Sequence, residues 1–247
     1  MDQAGADAGP WKDAAICLLA HASLKTLSLN FPSRHNLAEH PVLLLTGRLP
    51  TVERLSFIGE GKTVFFKFLV TCAFESLREV EIDYVALCDA DMQHLRVFLS
   101  AHSLEHFTIQ GEQNLDQTFD IVRHVRASRF GLSVIHLTPP FAPIIQAVPP
   151  STRTLVVLYS QWNEDIGVAF INEVVASPPP VQAVLLVEPE PGMDHFHWME
   201  DPSSCQDVIY CGRRIMRAAH WARSLAKKGI RLLDQKEKTL QECSPVL

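Results

Sequence analysis

The stretch Leu104-Glu-His-Phe-Thr-Ile109 sets apolar side chains at its first, fourth and sixth positions. Four other stretches do the same: Leu24-Lys-Thr-Leu-Ser-Leu29, Val52-Glu-Arg-Leu-Ser-Phe57, Leu77-Arg-Glu-Val-Glu-Ile82 and Leu132-Ser-Val-Ile-His-Leu137. Their starts at 24, 52, 77, 104 and 132 give steps of 28, 25, 27 and 28 residues. A fixed period of this size marks a stack of like supersecondary units. Within each phrase the last apolar pair alternates with polar residues, as on a strand with one buried face. A single strand-plus-helix unit cannot bury its apolar side alone, whereas stacked units bury one another's.

Between the phrases the spacing predicts helices over 11–22, 37–45, 63–74, 89–101, 115–127, 141–147 and 163–176. The phrases themselves predict strands at 25–30, 53–58, 78–83, 105–110 and 133–138. Two further apolar runs predict strands at 154–158 and 182–187. The register of the first of these is open by one residue, since TLVVLY alternates weakly. Residues 188–208 are rich in proline, acid and aromatic side chains and read as an insertion. A basic helix over 209–228 follows, with Gly229 as its stop, because glycine favours the left-handed position after a helix. Ile215, Met216, Ala219 and Leu225 are expected to face the array. Residues 230–234 suit a last edge strand. The whole of 11–235 reads as one array, with 1–10 and 236–247 expected to be disordered.

An ordinary doubly wound α/β domain also alternates strands and helices. Its strands, buried on both faces, would read as near-continuous apolar runs. Leu77–Asp83 and Leu104–Gln110 instead carry charge or polarity at every second position, which calls for one open face. The register lines that face with Thr26, Ser28, Asn30, Arg54, Ser56, Ile58, Glu79, Glu81, Asp83, His106, Thr108, Gln110, Val134, His136 and Thr138.

FLSAHSLEHFTI (98–109), LKTLSLNFPS (24–33) and FESLREVEID (74–83) resemble the irregular leucine-rich repeats of fungal F-box-type proteins. The likeness runs from about residue 15 to residue 190. It implies an α/β fold: a leucine-rich-repeat-like solenoid with a parallel strand face and helices on the convex side. In that family the repeats follow an F-box and are taken to recognise substrate for ubiquitin ligation. Here the repeats begin by residue 24, which leaves no room for an F-box before them. The resemblance therefore implies a repeat domain for protein recognition and supplies no catalytic residue.

The 247 residues carry 22 Lys and Arg against 28 Asp and Glu, a formal net charge of −6. That balance gives no general attraction to nucleic acid or to an anionic membrane. The six cysteines include no CxxC pair and follow no signal sequence, so they read as reduced thiols of a cytoplasmic or nuclear protein. No run of apolar residues is long enough to span a bilayer.

Four stretches invite chemistry. Ser56-Phe-Ile-Gly-Glu-Gly-Lys-Thr63 follows a strand and ends like a phosphate-binding P-loop. Ser56, however, replaces the glycine that permits the tight turn. Nucleotide binding at 56–63 is the alternative reading of function. His195 and His197, with Cys205 and Cys211 downstream, could hold zinc, but lack the paired spacing of a structural site. The arginines and lysines of 209–228 read as the solvated face of a capping helix. Glu79, Glu81 and Asp83 are placed on one strand face, neighbours about 7 Å apart by strand rise. Acids so placed suit the attraction of a basic partner better than hydrolysis. The expectation is thus a non-catalytic module without cofactor or metal. It is expected to bind a protein or peptide, one with a basic segment, on its concave strand face or its rim loops, with Arg54, Glu79, Glu81, Asp83, His106, Thr108, Gln110 and His136 as the candidate contacts.

Overall fold

A computed structural model describes residues 23–31, 47–60, 67–85, 89–110, 115–135, 137–158, 164–187, 208–234 and 236–239. The chain divides into two compact units. One comprises Met1–Gln117 with His124–Arg126, and the other Thr118–Arg123 with Ala127–Leu247. Both are α/β, built on parallel strands joined through helices.

The first unit contains β1 (Thr26–Phe31), β2 (Gly47–Arg48), β3 (Arg54–Glu60), β4 (Cys72–Ala73), β5 (Glu79–Val85) and β6 (Leu104–Gln110). Its helices are α1 (Lys67–Thr71) and α2 (Asp89–Ala101). The main sheet runs β1-β3-β5-β6, all parallel and in chain order, and β2 pairs separately with β4. Each step is pinned the same way, by two successive amides donating to one carbonyl of the strand before. Glu53 and Arg54 donate to Lys25 O at 2.8 and 3.0 Å. Arg78 and Glu79 donate to Glu53 O at 2.8 and 3.0 Å, and Glu105 and His106 to Arg78 O at 2.8 and 3.0 Å.

This stagger aligns the phrases. Leu27, Leu55, Val80 and Phe107 form one row across the sheet, and Leu29, Phe57, Ile82 and Ile109 the next but one. All of these except the half-buried Leu29 are buried. Leu77 and Leu104, the first residues of their phrases, are buried too. On α2 the buried side chains are Asp91, Met92, Leu95, Phe98 and Leu99, spaced as one helical face. Phe74 meets Phe98 edge-on at 6.1 Å, and His102 stacks on Phe98 at 4.4 Å.

The second unit contains β7 (Ala127–Ser133), α4 (Ala142–Ala147), β8 (Thr154–Leu158), α5 (Glu164–Ala176), β9 (Ala183–Val187), α6 (Val208–Ala226) and β10 (Arg231–Leu233). The helix α3 (Leu115–His124) precedes β7, and the boundary between the units passes through it. The strands again lie in chain order, β7-β8-β9-β10, all parallel. Arg153 donates to Ser128 O at 2.8 Å, and Gln182 and Ala183 donate to Arg153 O at 2.8 and 3.1 Å. The buried rows are Phe130, Leu155, Val184 and Leu232, then Leu132, Val157 and Leu186. Thr152 stands at the first position of its phrase, 1% exposed. Its hydroxyl donates to Ala127 O at 3.1 Å, which satisfies the buried polar group.

Several expectations are corrected. The fifth phrase begins at Ala127, not Leu132, and its strand spans Ala127–Ser133 instead of 133–138. Ala127, Phe130 and Leu132 fill the first, fourth and sixth positions. After β7 the chain turns, with Leu137 N donating to Val134 O at 3.2 Å. Val134 is therefore buried instead of lining an open strand face, and Thr138 is exposed in a loop. The helix expected over 63–74 ends at Thr71, where its described part α1 gives way to β4, and helix 115–127 stops at His124. The strands 154–158 and 182–187, the helix 89–101 and the left-handed Gly229 (φ 75°) fall at or within a residue of their expected places. On α6 Met216 is 68% exposed, and among the described side chains Ala218, Trp221 and Leu225 are buried. Residues 236–239 form a turn and a bridge rather than a disordered tail. The helices expected at 11–22 and 37–45 and the insertion through 207 lie outside the described residues.

The register makes a direct prediction for stability. Leu27→Ala, Leu77→Ala and Leu104→Ala should each cost about 2–5 kcal/mol, and Phe130→Ala about 3–5 kcal/mol, as buried cavities do. Thr138→Ala should stay within about 0.5 kcal/mol, as an exposed loop change. Chemical denaturation midpoints check both. A small effect at Phe130 would contradict a phrase that starts at Ala127.

Candidate functional site

In the first unit, alternate residues of the strands leave one face of the sheet open. Its first row is Thr26, Arg54, Glu79 and His106, the second Ser28, Ser56, Glu81 and Thr108, and the third Asn30, Ile58, Asp83 and Gln110. The structure thus brings together seven of the eight expected binding residues: Arg54, Glu79, Glu81, Asp83, His106, Thr108 and Gln110. His136 lies outside the described residues.

Arg54 is exposed, and the other six are half-buried. Arg54 Nε donates to Glu79 Oε2 at 2.5 Å. That hydrogen bond, and then the Glu79 charge, push the Arg54 pKa further above its usual value. The second oxygen of Glu79 lies 4.0 Å from His106 Nδ1, so Glu79 stands between two basic groups. Gln110 Nε2 donates to Glu81 Oε1 at 2.7 Å. Three carboxylates therefore share the face with one guanidinium, and the patch keeps an excess of negative charge.

A second row of charges went unnoticed in the sequence. The second residue of each phrase reads Lys25, Glu53, Arg78 and Glu105, alternating in sign. The stagger places them side by side: Lys25 Nζ lies 3.1 Å from Glu53 Oε1, and Arg78 Nη1 3.3 Å from Glu105 Oε1. Arg48 pairs with Glu75 at the small sheet. The sign alternation at a fixed phrase position was the available signal. Exposed pairs of this kind contribute little to stability, typically under about 1 kcal/mol.

The P-loop-like segment does not begin as a loop. β3 extends to Glu60, and Ser56 through Glu60 pair with β5, so the amides of its first half belong to the sheet ladder. Gly61, Lys62 and Thr63 lie outside the described residues, as do His195, His197, Cys205 and the side chain of Cys211. Among the described residues no group of three or more His, Cys, Asp or Glu is placed to hold a metal ion. Among them, too, no helix is long and apolar enough to cross a membrane.

No protein-family model, curated protein or solved structure matches this chain. The geometry of its own residues carries the functional argument.

The Arg54–Glu79 pair is exposed enough for its strength to be set by solvent. Arg54→Ala and Glu79→Gln should each change stability by less than about 1 kcal/mol. The difference from wild type should shrink further in 1 M salt, where the Debye length falls to about 3 Å. Urea titrations at low and high salt measure both.

Proposed function

We propose that this chain is a leucine-rich-repeat-like recognition module that binds a protein or peptide through the open strand face of its first unit. One observation carries the reading: Glu79, Glu81 and Asp83 stand on adjacent outward positions of β5, half-exposed, opposed by Arg54 alone among the arginines and lysines of that face. Such a patch attracts a basic segment and speeds its association. His106, Thr108 and Gln110 beside it offer polar contacts of both kinds.

The repeat-like reading is supported by strand order. In a doubly wound sheet the order reverses, and ligands bind at that switch point. Within each unit here the order follows the chain without reversal. Right-handed crossovers that always step the same way put the helices on one side, which leaves the other for a partner. The resemblance to the repeats of F-box-type proteins agrees with substrate or partner recognition. The reading assigns no catalytic residue to this face. The module acts without cofactor or metal.

The test is a reversal of charge. Glu79→Lys combined with Glu81→Lys points outward and should leave the melting temperature nearly unchanged. Partners captured by the wild-type chain and identified by peptide mapping should bind the double variant more slowly. Wild-type association should also weaken as salt rises past 0.1 M, where the Debye length is about 10 Å. A captured partner whose on-rate ignores both changes would show that the recognition surface is elsewhere.

A further inference from the structure

Helix α6 packs on the second unit with one face and turns a charged face to water. From Val208 to Leu233 the chain has seven Arg and Lys and no Asp or Glu, although the whole chain carries a net charge of −6. Ala218, Trp221 and Leu225 are buried. Trp221 Nε1 donates to Asn172 Oδ1 at 2.9 Å. Lys228 Nζ donates to Val175 O and Ala176 O, each at 3.0 Å, and so caps the end of α5. These contacts fix how α6 is rotated about its own axis.

Met216, His220, Arg223 and Lys227 follow one another at steps of four, three and four residues. Lys227 stands just past the end of α6, but its amide still donates to Arg223 O at 3.2 Å, so it keeps helical register. At about 3.6 residues per turn the four lie within about 60° of one another and span about 16 Å. All four are exposed, Met216 at 68%. Lys228 is used on the carbonyls of α5. Among the described residues, by contrast, no carboxylate pairs with Arg223 or Lys227. Beside this stripe lie Ala219, Ala222 and Ala226. Short side chains there let a second helix come close, since the distance between packed helices depends on the side chains at the contact.

We infer that this stripe is a docking surface for an amphipathic helix with an acidic face. Carboxylates of the partner, spaced by the same steps of three and four, meet Arg223 and Lys227 as flanking charges do in a coiled coil. Met216, unbranched and adaptable, packs on an aliphatic residue at one end of that face. Two other anionic partners fit less well. A helix that binds a membrane lays its apolar face into the lipid, and α6 has already buried Ala218, Trp221 and Leu225. A nucleic acid needs many phosphate contacts, and the stripe offers two unpaired cations and one imidazole. This surface uses other residues than the acidic patch of the first unit and takes a partner of opposite charge.

The experiment uses the full chain and three labelled peptides, each held helical by a staple on its far side. The first carries Glu at steps of four, three and four along one face, with Leu at the end of that face. The second has the same composition with its Glu spread around the helix. The third has Lys in place of each Glu. Wild type should bind the first peptide, the second more weakly, and the third not at all. Arg223→Glu combined with Lys227→Glu should keep the melting temperature, because both side chains are exposed. It should weaken binding of the first peptide by more than about tenfold, since like charges then meet. The lysine peptide should bind this variant, which also shows that the reversed surface is folded. Glu79→Lys with Glu81→Lys should leave the first peptide's affinity unchanged, which separates this surface from the one proposed above. Equal binding of the first two peptides, binding that survives the reversal, or a lysine peptide that gains nothing from it would each overturn the proposal. So would tighter binding of single-stranded RNA or of phosphatidylserine vesicles, or no binding at all.

Discussion

The structure depends on one repeated backbone contact. The carbonyl of Lys25, Glu53 or Arg78 accepts from two successive amides of the next strand, and Arg153 O does the same for Gln182 and Ala183. This fixes the stagger of every parallel pair in which it occurs. Because strand side chains alternate, a slip of one residue would send the aliphatic rows outward and the charged rows into the core. The buried rows that end in Phe107 and Ile109 make such a slip costly. The placing of Glu79 beside Arg54, and of Glu81 next to Gln110's strand, is a by-product of the same stagger.

Given that constraint, the two units spend their outward positions differently. In the first, the outward residues are polar or charged on nearly every strand, and of those whose exposure is described all but the buried Ser56 stay partly open to water. In the second, they are mostly aliphatic, and Ala183, Leu185 and Leu233 among them are buried. The contrast matters because the hydrophobic effect is blind to direction, whereas charge is selective.

Ion pairs are frequent along the first unit, yet they do not hold it together. Lys25–Glu53, Arg78–Glu105 and Arg48–Glu75 are all substantially exposed. Their alternating signs favour the correct neighbour and penalise a misplaced one, since like charges would meet if a repeat were skipped. Stability comes from the apolar rows, in which Leu55, Phe57, Ile82 and Phe107 are fully buried.

The sequence by itself determined the period, the aliphatic rows of β1, β3, β5 and β6, and the face shared by Glu79, Glu81 and Asp83. These follow from local alternation, which any strand with one buried side must show. It also gave α2, α5, β8 and the glycine stop at Gly229, where spacing and punctuation agree. Only the tertiary structure decided where β7 begins. Leu132-Ser-Val-Ile-His-Leu137 is the more aliphatic phrase, but Ala127-Ser-Arg-Phe-Gly-Leu132 is the one whose backbone meets β8, and Leu137 is buried after a turn instead. A pattern read along the chain counts apolar residues and cannot see which carbonyl the neighbouring strand offers. The Arg129–Glu237 pair was invisible for the same reason. Nothing local ties Glu237 to Arg129, 108 positions earlier; their meeting required three strands to be laid down between them.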